Sequence, residues 1–173
     1  MRLIACNQQS HSNAILDIFN EAIANSTALY DYKPRNRQSM ADWFAAKTAG
    51  RYPVIGAADA DGNLLGFASY GTFRAWPAYK YSIEHSVYVH KDHRGRGIGL
   101  ALLRRLIESA REQQYHVMVG GIDITNASSI ALHEKVGFTH AGTIRQAGFK
   151  FSRWLDLGFY QLVLATPDNP VDG

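Results

Sequence analysis

The chain contains one cysteine, Cys6. That excludes an internal disulfide and a multi-thiolate metal centre, and no metal is expected. Cys6 itself reads as a small buried residue of an N-terminal strand. Long apolar runs are missing too. None approaches the roughly 18 residues of a membrane span, and Leu3–Cys6 is too short for the core of a signal peptide. A cytoplasmic protein with no membrane contact is therefore expected. No charge of one sign dominates: 18 Lys and Arg against 15 Asp and Glu leave a formal net charge of +3, too small to argue for nucleic acid. The basic residues are scattered except around His93–Arg96 and Arg104-Arg105, a local pattern that suits an anion site. Linkers, internal repeats and low-complexity tracts are absent as well. One domain is expected over residues 1–165, with a flexible tail over 166–173.

At 173 residues, 46% of them apolar and 19% charged, the chain is long enough to bury one full hydrophobic core. Leu3–Cys6 reads as a strand, and Ser12 or Asn13 is placed to cap a helix with Ile15, Ile18, Phe19, Ala22 and Ile23 on one stripe. Ser26–Asn36 is polar and aromatic, with Pro34 stopping regular structure. Gln38–Ala49 returns to helix with Trp43 and Phe44 inward, and Gly50 ends it. Tyr52–Ala58 and Leu64–Tyr70 flank Asp59-Ala60-Asp61-Gly62-Asn63, a hairpin signature. Gly71–Lys80 reads as a loop and Ser82–Val89 as a strand. Ile98–Gln114 is the clearest helix, with Ile98, Leu102, Leu103, Leu106, Ile107 and Ala110 on one face. Val117–Ile122 follows as a strand parallel to Ser82–Val89, because a single helix crosses between them. Asn126–Val136 is a short helix closed by Gly137. Phe138–Ile144 and Trp154–Leu164 complete the strands, with Trp154, Phe159 and Tyr160 assigned to the core or a dimer interface. The fold class is α/β, a mixed sheet flanked by helices.

The chemistry concentrates in Val87–Leu100, where an apolar strand enters a basic turn that opens directly onto a helix. Gly95, Gly97 and Gly99 let the backbone come close to a guest. Several N–H groups can then aim at one point, and the helix dipole adds positive potential, so a phosphate or pyrophosphate is expected there. A P-loop would need Gly-Lys followed by Ser or Thr, and this turn has Gly99-Leu100. A dinucleotide fold would need G-x-G-x-x-G, whereas these glycines follow G-x-G-x-G. Asp123 is the one residue that supports it, and a second βαβαβ half is missing.

The run Arg94-Gly95-Arg96-Gly97-Ile98-Gly99 resembles the R/Q-x-x-G-x-G/A signature of the GNAT acetyltransferases. Asn126–Phe138 resembles that family's second hallmark, an Asn-x-x-Ser helix ending in Gly-Phe. The likeness is closest to the phosphinothricin and methionine sulfoximine N-acetyltransferase branch. It rests on Ser26-Thr27, Phe73-Arg74, Trp76-Pro77, Glu84-His85-Ser86-Val87-Tyr88-Val89 and Arg153-Trp154-Leu155-Asp156, and covers roughly residues 2–165. The resemblance implies transfer of an acetyl group from acetyl-CoA to the α-amine of a small amino acid or analogue, by a homodimer.

It also implies roles. Gly95, Gly97, Ile98, Gly99 and Leu100 would bind the pyrophosphate through their backbone, with charge from Arg94 and Arg96. Val87, Tyr88 and Val89 would bind the pantetheine arm through their main chain, and a backbone N–H there would support the oxyanion. Asn126 would touch the CoA arm, cap its helix, or do both. Lys135 would reach the cofactor phosphates or remain a solvated helix lysine. Period-two alternation puts Glu84, Ser86 and Tyr88 on one face of the strand and His85 on the other. Glu84 is the expected general base, acting directly or through water. Arg74 would hold the substrate carboxylate, with Ala75, Trp76, His85 and Ser86 completing the substrate contacts. His133 stands where many members carry Tyr. It is either the acid that reprotonates the departing thiolate or a satisfied surface histidine. Two alternatives stay open: a protein or peptide amine as acceptor, and a non-catalytic acyl-CoA sensor.

Overall fold

The computed structural model describes residues 1–172; Gly173, the last residue of the expected tail, lies outside them. The described residues form β1 (Arg2–Ala5), α1 (Gln8–Asn25), α2 (Arg37–Ala49), β2 (Val54–Ala58), β3 (Leu64–Thr72), β4 (Ser82–Val89), α3 (Ile98–Glu112), β5 (Val117–Asp123), α4 (Ala127–Glu134), β6 (Thr139–Lys150) and β7 (Arg153–Val163). The strands lie in a mixed seven-stranded sheet of order β1-β2-β3-β4-β5-β7-β6. Pairs β1/β2, β2/β3, β5/β7 and β6/β7 are antiparallel, and β4/β5 is parallel, as the helical crossover between them requires. The chain divides into two units, Met1–Ser69 with Ser86–Leu106 and Tyr70–His85 with Ile107 onward.

In the first unit the core is built around Phe19 of α1. Its ring meets Phe67 at 4.9 Å, Tyr88 at 5.2 Å and Trp43 at 5.5 Å in edge-on contacts, and Ile15, Ile18, Met40 and Phe44 pack into the same cluster. Each such side chain taken from water contributes about 1.5–3 kcal/mol. Helix α1 starts earlier than its apolar stripe suggests. Asn7, rather than Ser12 or Asn13, is the N-cap, accepting from the Ser10 N–H at 2.8 Å. The opening residues Gln8–His11 are polar, so hydrophobic periodicity marks only the packed part of the helix. Asn36 and Ser39 form a capping box that starts α2. In the β2–β3 hairpin, Asp59 accepts from the N–H groups of Asp61 (3.0 Å) and Asn63 (2.8 Å), and Gly62 takes a left-handed φ of 91°.

In the second unit β4 pairs with β5 over Ser82–Glu84 against Val117–Val119, and β5 pairs along its other edge with β7. Strand β6 runs past Ile144 to Lys150, so the expected loop between the last two strands is mostly strand. The turn is Phe151-Ser152, with φ of 51° and 58°, the two left-handed residues that a two-residue hairpin loop needs. Neither is a glycine or asparagine, so the turn carries no signature. Trp154 is 58% exposed, whereas Tyr160 is 6% exposed. Near the C-terminus the Val171 N–H donates to the Tyr81 hydroxyl at 3.1 Å and the Thr166 carbonyl accepts from His116 Nδ1 at 2.9 Å. No helix among the described residues is long and apolar enough to cross a membrane.

Candidate active site

Strand β4 carries Glu84 half-buried, and burial pushes its carboxyl above the usual carboxylate range while the charge of Arg74 opposes the shift. A bare backbone makes room for it: a Cβ on Gly121 would stand 3.4 Å from Glu84 Oε1 and 3.3 Å from Leu157. Arg74 is exposed, lies over the Phe73 ring at 4.4 Å and donates Nη1–H to the Phe73 carbonyl at 3.0 Å. Ala75 is exposed, and Trp76 is 74% exposed at the head of a short 3-10 turn, Pro77–Tyr79. Tyr79 packs edge-on against Phe73 at 5.7 Å.

His85 and His133 come together. They are 6% and 5% exposed, and their Nε2 atoms lie 2.9 Å apart. His85 Nδ1 bonds the Val119 carbonyl at 2.8 Å, and His133 Nδ1 bonds the Ser129 carbonyl at 2.6 Å. His85, expected to contact substrate, is thus engaged inside the protein at both nitrogens. His133, expected as an acid or a surface group, is buried. Phe138 packs on both rings at 5.2 and 5.1 Å. Burial and the neighbouring ring pull His85 down to about 3, and burial lowers His133.

Asn126 is the N-cap of α4, its side-chain oxygen accepting from the Ser129 N–H at 3.1 Å and the Ser128 hydroxyl at 3.0 Å. Lys135 is exposed at the other end of that helix. Asp123 is committed to structure: it accepts from Thr125 N and Oγ1, both at 2.9 Å, and pairs with Arg153 at 3.4 Å.

The second group of expected residues runs from the end of β4 into the turn before α3. The Tyr88 side chain is buried in the Phe19 cluster, Val87 and Val89 are half-buried, and Ser86 is exposed. Gly95 and Gly97 take left-handed φ values of 76° and 77°, with open space where a Cβ would stand. The first helical bond of α3 runs from Ala101 N–H to Gly97 O at 3.1 Å, so the N–H groups of Ile98, Gly99 and Leu100 lack partners within the helix. Buried Ile98 anchors the turn. Arg96 lies beside His93 Nδ1 at 3.3 Å, while Arg94 pairs with Glu21 of α1 and donates Nε–H to the Val89 carbonyl. Left-handed glycines, open space, helix N–H groups without an intrahelical partner and exposed guanidinium charge fit a pyrophosphate. Sequence reasoning missed the Glu21 partner of Arg94, which is far away in the chain. It also missed the Gly120-Gly121 doublet, whose signal was two glycines inside an apolar strand.

A family model for the acetyltransferase (GNAT) family matches residues 15–138. The chain belongs to the GNAT acetyltransferases. It is 47% identical over 150 residues, 87% of each chain, to an L-methionine sulfoximine/L-methionine sulfone acetyltransferase of Pseudomonas paraeruginosa. Among solved structures, a chain from Acinetobacter baylyi is 59% identical with a TM-score of 0.98, covering 99% of this chain and 96% of that one. A ribosomal-protein-alanine N-acetyltransferase from Brucella melitensis is 40% identical, TM-score 0.92, covering 95% and 100%. A GNAT phosphinothricin acetyltransferase from Sinorhizobium meliloti, solved with acetyl-CoA, is 33% identical, TM-score 0.93, covering 98% and 91%. The α/β mixed-sheet fold is the GNAT fold.

Proposed function

We propose that this protein transfers the acetyl group of acetyl-CoA to the α-amine of a small amino acid or analogue of the methionine sulfoximine, methionine sulfone or phosphinothricin type. The observation that carries the reading is Glu84, a half-buried carboxyl of raised pKa with the charge of Arg74 acting on it. The activities that the Pseudomonas and Sinorhizobium relatives are named for support it.

An α-ammonium has a pKa of about 8 and is mostly protonated at neutral pH, so transfer needs a base. Glu84 takes that proton, directly or through one water, and Arg74 holds the substrate carboxylate with its planar fork. Ala75, Trp76 and Ser86 line the acceptor. The amine attacks the thioester carbonyl in a ternary complex, and a backbone N–H of Val87–Val89 supports the oxyanion. Collapse breaks the C–S bond, and His133 is the proton source for the thiolate. The backbone of Gly95–Leu100, with Arg94, Arg96, Asn126 and Lys135, holds acetyl-CoA. A covalent acetyl-enzyme is not invoked, since burial pushes the Cys6 thiol up to about 11.

Release of CoA thiol from acetyl-CoA, measured across amino acids, sulfoximines and sulfones, tests the reading. Turnover of at least one is expected, and none with any acceptor would overturn it. The name of the Brucella relative favours a second reading, a protein N-terminus as acceptor. Comparing a free amino acid with its amide separates the two, because only the first offers Arg74 a carboxylate. The protein would act as a cytoplasmic homodimer. Exposed Ile144, Phe149, Phe151 and Trp154 on the β6–β7 hairpin support that assembly, and light scattering would measure it.

A further inference from the structure

We propose that His85 and His133 share one proton between their Nε2 atoms, that this proton is the one taken by the departing CoA thiolate, and that His85 is the positioning residue that keeps His133 charged. The proposal rests on the acetyl-transfer reading above.

The number of protons follows from hydrogen-bond chemistry. A carbonyl oxygen only accepts, so Val119 O at 2.8 Å fixes a proton on His85 Nδ1, and Ser129 O at 2.6 Å fixes one on His133 Nδ1. Two neutral rings of that tautomer would present bare Nε2 lone pairs to each other at 2.9 Å. Such a contact holds only with a third proton on the N–N line, which gives the pair one positive charge. Burial works against charge on either ring, whereas two carbonyl acceptors and a neighbouring lone pair work for it. The three contacts of 2.6–2.9 Å decide for one proton. Burial and mutual repulsion then exclude a second.

The surroundings suit such a pair. Phe138 covers both rings, and a Cβ on Gly120 would stand only 2.8 Å from His85 Cε1 and 3.4 Å from His133 Nε2. The acceptor of the His85 bond, Val119, is the register mate of Glu84 across the β4–β5 ladder. The base and the dyad therefore attach to the same rung of the sheet.

In the reaction the C–N bond forms, the C–S bond breaks and the electron pair leaves on sulfur. The thiolate is an anion and a stronger acceptor than the neutral His85 nitrogen, so it takes the proton from His133 Nε2. The amine gives up two protons in all, one to Glu84 before attack and one as the amide forms. One goes to solvent, and the other replaces the proton that the dyad gave to sulfur.

His85→Gln tests the use of this proton: the Gln amide can donate a neutral N–H to His133 and keep the contact without an ionisable proton. Expected are a folded protein, unchanged acetyl-CoA affinity and acceptor KM, and a kcat lower by roughly 10²-fold. His133→Phe should lose as much, and the double variant no more than His133→Phe alone. An unchanged kcat in His85→Gln overturns the assignment. Independently of folding in the variants, proton NMR of 15N-histidine-labelled wild type should show a far-downfield proton correlated with nitrogens of two rings. Two neutral rings without it overturn the shared proton. Wild-type protein inactive on every acceptor would instead overturn the acetyl-transfer reading, and the NMR result would still decide the dyad.

Discussion

Glu84 and Gly121 meet across adjacent strands: Glu84 Oε1 lies 3.4 Å from the point where a Cβ on Gly121 would stand. Successive strand residues face opposite sides, so Gly120 clears space for the His85–His133 pair and Gly121 clears space for the Glu84 carboxyl. The two substitutions should therefore behave differently. Gly120→Ala would put a methyl 2.8 Å from His85 Cε1, an overpacking expected to lower stability by about 1–3 kcal/mol. Gly121→Ala would meet Leu157 Cδ1 at 3.3 Å and Glu84 Oε1 at 3.4 Å, so a few tenths of an ångström of relief by the leucine end suffices, and the carboxylate loses its freedom to move toward β5. That variant should fold normally and lose about three- to tenfold in kcat. Thermal melts and steady-state kinetics on the pair check this. A normal kcat in Gly121→Ala would detach the glycine from the base.

Glu84→Gln should retain acetyl-CoA affinity and lose about 10²–10⁴-fold in kcat; a sensor would lose nothing. The pH dependence has a definite sign. Only the ionised carboxylate is a base, and burial raises its pKa, so kcat/KM should rise with pH through a value above that of an ordinary glutamate. Folding makes this group hold its proton to higher pH than the unfolded chain does. Its ionisation thus lowers stability as pH rises from the unfolded pKa to the folded one. Glu84→Gln should melt higher than wild type at neutral pH and lose that advantage in acid. A calorimetric series across pH measures it.

Arg74 carries two separable effects. Its charge lowers the Glu84 pKa, so in Arg74→Ala the acid limb of the kcat/KM profile should move to higher pH. Its guanidinium is also the assigned carboxylate partner, and loss of a charged hydrogen bond of about 1.5–3 kcal/mol should reduce kcat/KM for a free amino acid by roughly 10–100-fold. An amino-acid amide should lose much less. Equal losses on both acceptors would remove the carboxylate role and leave only the electrostatic one.

What the sequence made legible is local chemistry. The strand Ser82–Val89, the glycine turn and the helix stripe after it all appear as read, because each has its own periodicity or turn residues. The start of α1 at Asn7 was hidden since a polar first turn has no hydrophobic period. The Phe151-Ser152 turn was hidden since left-handed residues other than glycine leave no signature. Glu84 and Arg74, the proposed base and carboxylate partner, could be singled out from the strand and the loop before it. The contact of His85 with His133 could not, because it joins residues far apart in the chain. Of the two readings of His133, an acid or a surface histidine, burial removes the surface one and makes it half of a pair.

The glycine turn allows a test with its own control. Gly97 has φ of 77° and open space around its missing Cβ, and Gly62 in the β2–β3 hairpin has φ of 91° and equally open space. Alanine at either site meets no atom, so the penalty is backbone strain alone, about 1–2 kcal/mol. Gly97→Ala and Gly62→Ala should therefore lose similar stability in a denaturant titration. Only the first lies in the turn that enters α3. If that turn holds the pyrophosphate, relief of strain there redirects donors that must aim at one point. Gly97→Ala should raise KM for acetyl-CoA about tenfold while leaving the acceptor KM alone, and Gly62→Ala should change neither. A KM for acetyl-CoA that stays at the wild-type value in Gly97→Ala would move the cofactor phosphates away from this turn.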